Sequence, residues 1–555
     1  MAVDIPPILA GLLAKLPSGS GSSVRGDQGS ISLSLVLVTV AVVLATSSLV
    51  KFVRGLKAVN YMPGLRTPFS PFSLPGVLSP TAWWNPGLSF LWNGRKHHSL
   101  YKRFNSETFS VIPWVAGAPL IVTSNLDVLR QIAFGSHRTD FAKPEEMSQA
   151  LLFWGQNLVA ADGDTWRTHR RVVGPAFNTK LYEDVWVKTA EIYAQMVEEE
   201  GWASKDTIDV PVVQKLTFQF ALLVISRCGF GLSFSWFEPP VAENGGMTVQ
   251  QALRIITERN MALLFLPKWV KKLPFKYLRE LDAAVDTMMK FMKEQVTRRR
   301  ESVKTNDAGS DAFTLMIKAN EAEGSKYALD DSELIGNVFV LLFAGHETTA
   351  HTLAASLAFL ACNPDIQQEI LDHILEVVGW DRAPAFEDYA SLDKVLAVFL
   401  ETLRMFPSGY LMFRQATKDT TIKLPRPVGE EGVDTIPVPK GTTMVVDVVG
   451  MEYNPRYYDE PETFKPSRWY GVSKEGDNFT AFSVGPRECL GRRFATSEAV
   501  CFLTLLIRDY KLEPLLQKGE TVGQWKERVL DATLFVTLGV KDTPIRLVRR
   551  EKGRA

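Results

Sequence analysis

Cys489 is the residue in this chain whose surroundings most favour chemistry. It ends the stretch Phe482-Ser-Val-Gly-Pro-Arg-Glu-Cys489-Leu-Gly491, and the residues from Leu490 to Ile507 read as a mostly apolar helix. Gly485-Pro486 sets a tight reversal just before it. A cysteine at a helix start meets free N–H groups and the positive end of the helix dipole, which favour thiolate over thiol. Arg487, two residues away, adds positive charge. Such a thiolate can act as a nucleophile or as a metal ligand.

Three other patterns could bear on function. Ala344-Gly345-His346-Glu347-Thr348-Thr349 interrupts a long apolar helix expected over Asp331–Leu360. The Thr348 hydroxyl can bond back to the Ala344 carbonyl and bend the helix, and Gly345 and Thr348 both weaken it locally. Close packing of small residues would give the same pattern. Trp166-Arg-Thr-His-Arg170 puts an indole N–H and a guanidinium on one helix face, where both can point at an anion. An exposed amphipathic face reads identically. Glu401-Thr-Leu-Arg404 places opposite charges one turn apart, which on a surface is worth only about 0.5 kcal/mol. None of the seven histidines forms a His-x-x-x-His or His-Glu-x-x-His pair.

The pattern Phe-x-x-Gly-x-Arg-x-Cys-x-Gly, complete at Phe482, Gly485, Arg487, Cys489 and Gly491, resembles the haem-binding signature of the cytochrome P-450 superfamily. The resemblance extends from about Pro63 to Arg550, with four motifs in the family's order. It implies a mainly α fold with small β-sheets and haem b held by the Cys489 thiolate. Thr348 would hold dioxygen and a water, with Glu347 relaying protons, and Ala344 and Gly345 would stand beside the cofactor with Phe482 and Gly491. Trp166, Arg170, Arg414 (in Leu411-Met-Phe-Arg) and Arg487 match positions that bind the haem propionates. Glu401, Arg404 and Arg468 (in Phe464-Lys-Pro-Ser-Arg-Trp469) would form a buried structural trio, although Ser467 stands where the family usually has Glu.

The implied activity is a monooxygenase that hydroxylates a lipophilic small molecule, terpenoid or sterol-like, with dioxygen. Only 66 residues follow Cys489 (489 to 555), too few for flavin and nicotinamide domains. Electrons would therefore come from a separate NADPH-cytochrome P-450 reductase, with cytochrome b5 an optional second donor. Arg492 and Arg493 could contribute to a basic docking face. Two other readings stay open: a hydroperoxide isomerase or dehydratase that needs no reductase, and a non-catalytic haem- or lipid-binding membrane protein.

The 555 residues are 46% hydrophobic and 22% charged, with 62 basic against 62 acidic side chains, which leaves no electrostatic case for nucleic acid. Cys228, Cys362, Cys489 and Cys501 are widely spaced, which argues against a disulfide framework and a zinc site. Residues 28–50 carry no charge, and the 20 residues 31–50 would make a helix of about 30 Å, long enough to cross a bilayer. Lys51, Arg54 and Lys57 after it, against Lys15 and Arg25 before it, predict a cytosolic bulk. With the family resemblance this gives a lumenal segment 1–30, a transmembrane anchor 31–50 in the endoplasmic reticulum membrane, a basic and Pro-rich hinge 51–80, and a haem-thiolate domain 81–555. Within the hinge the prolines from Met62 to Gly76 exclude a helix or a central strand and predict a stiff connector. Further helices are expected over Tyr182–Trp202, Val213–Cys228, Leu278–Arg300 and Ile366–Val378, with a hairpin around Thr108–Val115 and Leu120–Thr123. Substrate-pocket walls are expected at 141–159, 230–275, Phe343, Ala344, 408–413 and 534–536. Within them Leu263–Phe275 mixes aromatics and lysines, as a lip in a membrane interface would.

Overall fold

The computed structural model describes residues 33–551 except 134–139, 146–151, 238–245, 260–261, 263–265, 267–269, 271–272, 306–308, 310, 323–326, 428, 472–477 and 535. The segment 1–30 and most of the lip at 263–275 lie outside the described residues. The chain divides into two units, Met1–Lys51 and Phe52–Ala555. The described part of the first belongs to helix α1 (Leu33–Ala58), whose run Ser34–Ala58 is long and apolar enough to cross a membrane, its most apolar 18 residues wholly unburied.

The second unit starts inside the same helix. Gly55 lets the backbone approach β2, since a Cβ there would lie 2.7 Å from the Ile112 side chain. Val59 and Met62 then enter a core with Ile112, Ile121 and Val446. The Pro-rich stretch expected to be a stiff connector does not stay irregular. Gly64–Phe69 is instead strand β1, paired in parallel with β2 (Thr108–Ala116). β1 lies at a sheet edge, where a residue without an N–H is tolerated, as the exclusion of a central strand allows, and the register shifts between Thr67 and Phe69, around Pro68. The exclusion of helix does not hold: Leu74–Leu78 is a short helix, which Pro75 can join because the first turn needs no N–H from it.

β2 and β3 (Leu120–Thr123) form the expected antiparallel hairpin. They belong to a six-stranded sheet ordered β1-β2-β3-β9-β6-β4, with β4 at Phe141–Ala142, β6 at Leu411–Ala416 and β9 at Thr443–Asp447. β6 therefore carries Arg414 beside two sheet neighbours that fix its direction. A two-stranded hairpin, β11 (Ala532–Leu534) and β12 (Leu538–Val540), stands apart from this sheet.

The remainder is mainly helical, with apolar positions recurring every three or four residues and so on one face. α2 (Gly163–Val173), α3 (Thr179–Glu199), α4 (Val213–Phe230), α5 (Lys276–Lys304), α6 (Asp331–Cys362), α7 (Pro364–Val377), α8 (Asp393–Met405) and α9 (Arg492–Asp509) follow the expected pattern to within a few residues. α6 is the longest, at 32 residues. Its start is set by a reciprocal capping box: the Glu333 N–H donates to Asp330 Oδ1 at 2.8 Å, and the Asp330 N–H donates to Glu333 Oε2 at 3.0 Å. α6 is apolar nearly all round because it runs through the main core, against which α4, α8 and α9 pack. α6 and the start of α9 form two sides of the site.

Candidate active site

The loop before α9 presents Cys489. Gly485 adopts φ 78°, a left-handed conformation open to glycine, and starts a single turn through Arg487. The Cys489 N–H then donates to the Phe482 carbonyl at 2.8 Å, which closes the loop. α9 begins three residues later, so the N–H groups of Gly491 and Arg492 reach the sulfur. Burial pushes the thiol above its ordinary value, while the Gly491 N–H, the Arg170 charge and the Arg492 N–H pull it back only in part. Burial therefore works against the helix N-terminus at this thiol. A coordinated metal cation does ionise a thiol.

The sulfur opens into a cavity of about 340 Å³ deep in the protein. Ala344, Gly345, Thr348 and Thr349 of α6 line it, as do Leu158, Val159, Phe177, Ile225, Leu341 and Met412. Adjoining cavities of about 310 and 330 Å³ share Met412, Ser483 and Arg487 with it. The Thr348 hydroxyl donates to the Ala344 carbonyl at 2.8 Å, as its position predicts, and the Thr349 hydroxyl to Gly345 at 3.1 Å. Gly345 has a second reason to be small, because a Cβ there would come within 3.1 Å of Ile225 on α4. His346 faces the core, its ring nitrogen on the Leu342 carbonyl at 3.0 Å, and burial holds its pKa down to about 4.

Positive charge collects at one end. Trp166 and Arg170 of α2, Arg414 of β6 and Arg487 all line the cavity, and Phe482 and Gly491 line it too. The Arg487 guanidinium lies 4.6 Å from the Trp166 ring centroid and donates to the Ala161 carbonyl at 3.0 Å and to the Asp162 carboxylate. Lys143, just after β4, is a fourth cation that sequence reasoning missed, although its loop was expected in the wall. Its ammonium reaches the Val159 and Ala161 carbonyls, and burial first, then Arg487 and Arg414, bring it down to about 7. Burial, followed by Arg487, likewise lowers Arg414 to about 10. Among the described residues neither Arg414 nor Arg170 has a carboxylate within ion-pair distance. Two half-buried guanidinium groups without an ion-pair partner at contact distance favour an anion that completes the site.

Glu401 and Arg404 of α8 are wholly buried rather than on a surface, with nitrogen–oxygen distances of 2.9 and 3.0 Å. Arg468 donates to the same carboxylate at 3.1 Å, and Trp469 Nε1 and the Lys465 N–H add bonds of 2.9 Å each. Arg404 spends its other donors on the carbonyls of Glu452 and Pro461, both at 2.8 Å. The trio forms with Ser467 in place of the family's usual Glu.

Glu347 does not line the cavity, although its neighbour Thr348 does. Its carboxylate Oε1 instead accepts a 2.6 Å hydrogen bond from the Thr537 hydroxyl. Thr537 carried no signal in its local sequence; the pairing spans 190 residues. Of the expected pocket walls, residues near 141–143, 158–159, 344 and 408–412 line the three cavities, whereas Phe343 and Leu534 do not. The stretch 230–275 contributes none of its described residues.

Among the described residues no three His, Cys, Asp or Glu side chains gather to hold a metal ion. A metal at Cys489 must bring its other ligands with it. The family model for cytochrome P-450 matches residues 77–531. The chain belongs to the cytochrome P-450 family. It is 33% identical to cytochrome P-450 monooxygenase 124 of Postia placenta over 94% of this chain and 100% of that protein. A cytochrome P-450 monooxygenase of Arthrobotrys oligospora is 26% identical over 77% of this chain and 82% of its own length. A ganoderic acid synthetase of Ganoderma lucidum is 26% identical over 65% and 73%. Cytochromes P-450 of this kind are monooxygenases that bind haem through a cysteine thiolate and use dioxygen, a redox partner and a small-molecule substrate. The residues present fit that group: one accessible thiol, small α6 residues across the cavity, and cations where a dianionic porphyrin edge needs them.

Proposed function

We propose that this cytochrome P-450 is a membrane-anchored monooxygenase that hydroxylates a lipophilic small molecule, with electrons from an NADPH-cytochrome P-450 reductase and cytochrome b5 as an optional second donor. The observation that carries the reading is the Cys489 thiol opening onto the same cavity as Thr348. When bound, haem supplies the iron at which dioxygen is reduced and a C–H bond oxidised. Cys489 anchors it, and Trp166, Arg170, Arg414, Arg487 and Lys143 hold its carboxylates. Thr348 presents a hydroxyl to the cavity and Glu347 is the proton source beside it. Glu401, Arg404 and Arg468 keep the segment before Cys489 in place. The apolar wall of Leu158, Val159, Phe177, Ile225 and Leu341 supports a lipophilic ligand and keeps water from the site. We favour a terpenoid or sterol-like substrate, in line with the similarity to a ganoderic acid synthetase.

The apolar run Ser34–Ala58 supports a single-pass anchor in the endoplasmic reticulum membrane with the catalytic domain in the cytosol. Retention of Glu347 and Thr348 speaks against a reductase-free isomerase and against a non-catalytic haem- or lipid-binding role. The deciding experiment reconstitutes the full chain with haem and reductase, screens lipophilic compounds for a spin-state shift, and measures oxygen uptake with those that bind. Product formation must depend on NADPH and on the reductase. Turnover without NADPH would overturn the reading.

A further inference from the structure

Glu347 and Thr537 are both buried, and the Thr537 hydroxyl donates to Glu347 Oε1 at 2.6 Å, a short hydrogen bond. The contact is one of a pair. Two residues along β12, Gly539 is pressed against His351, four residues along α6: a Cβ at Gly539 would lie 2.0 Å from His351 Nδ1. The segment entering β12 thus meets α6 at two points one turn apart, Thr537 at Glu347 and Gly539 at His351. The Leu538 N–H, donating to the Ser408 carbonyl at 3.0 Å, fixes the hairpin from the other side. Thr537 is therefore flanked by two contacts that seat the start of β12, one on α6 and one on the backbone at Ser408.

We propose that Thr537 is a positioning residue for proton delivery: its hydroxyl fixes the Glu347 carboxylate behind the cavity wall, next to Thr348 in the chain, and keeps it a competent acid. A hydrogen bond to the charged form lowers proton affinity. Without it, Glu347 binds its proton more tightly and gives it up less readily to the water and hydroxyl at Thr348. The carboxyl returns to its starting state by taking a proton from solvent. The inference rests on reading Glu347 as the proton source.

Thr537→Val keeps the shape and removes the hydroxyl. In the reconstituted full chain it is expected to raise peroxide released per NADPH severalfold and to move the pH profile of coupled turnover upward by about one unit. Thr537→Ser should restore both. Independently of turnover, infrared difference spectra should show a carboxyl band that disappears in Glu347→Gln, shifts in Thr537→Val and stays in place in Thr537→Ser. Adding Thr537→Val to Glu347→Gln should cause no further uncoupling. If Thr537→Val does not accumulate loaded with haem, Thr537→Ala carries the same expectation. An uncoupled Glu347→Gln beside a fully coupled Thr537→Val with an unshifted band would overturn the role of Thr537 alone. A fully coupled Glu347→Gln would overturn the reading of Glu347 and this inference with it.

Discussion

Arg487 stacks over Trp166 at 4.6 Å, and the same guanidinium, through Asp162, is tied to the Lys143 backbone N–H at 2.8 Å. One loop and two chain-distant segments thus converge on the charged end of the cavity. Removing a cation from this end should weaken haem retention without unfolding the protein. Arg414→Met and Lys143→Met are each expected to speed haem transfer to an acceptor apoprotein by roughly tenfold to a hundredfold, the worth of one hydrogen bond to a charged group. Unchanged transfer rates would remove these residues from the propionate site.

The convergence also shows which parts of the molecule were legible in sequence. Cys489, the α6 motif and the Trp166–Arg170 pair stand out by spacing because each sits in a local turn or helix, whereas Arg414, in a strand, came only from the family resemblance. The helices followed from apolar periodicity. The burial of Glu401 did not, since one face of α8 reads alike whether it meets water or the loop from Pro461 to Trp469. Lys143 and Thr537 were missed because tertiary contacts alone give them their place. Pro75 misled in the other direction, as proline is excluded from a helix interior but tolerated in its first turn, where Leu74–Leu78 uses it.

The Glu401 site predicts a stability effect. Glu401→Leu leaves Arg404 buried without its carboxylate, which costs on the order of 3–5 kcal/mol. The variant should fail to accumulate with haem, or show a matching drop in denaturant midpoint. A variant with native stability would contradict the structural role.

Stability should also depend on pH through two buried acids. Burial raises Asp447 to about 6, despite hydrogen bonds from the Gly450 N–H and Tyr101, and raises Glu452 to about 7, despite bonds from Tyr458 and Thr480. The native state then keeps protons that the unfolded chain releases near pH 4. Their contribution is complete below that point and is lost as pH climbs to about 6 and about 7. Glu452→Gln should flatten the fall in melting temperature between pH 5 and about 7, recovering on the order of 3 kcal/mol at neutral pH. An unchanged slope would assign the pH dependence elsewhere.

Thr348→Ala removes the hydroxyl facing the cavity while leaving Cys489 and the cations untouched. Haem content and the substrate-induced spectral shift should persist. Most of the electrons from NADPH should then appear as peroxide instead of product. A variant as tightly coupled as the parent would rule out the Thr348 role.

The central claim is that Cys489 holds the haem as its thiolate ligand, and the carbon monoxide difference spectrum of the reduced full-length protein tests it most directly. The parent chain is predicted to show the family's red-shifted Soret band. Cys489→Ser, where it retains haem, is predicted to show only the unshifted band. The red-shifted band persisting in Cys489→Ser, or missing from the haem-loaded parent, would contradict the account.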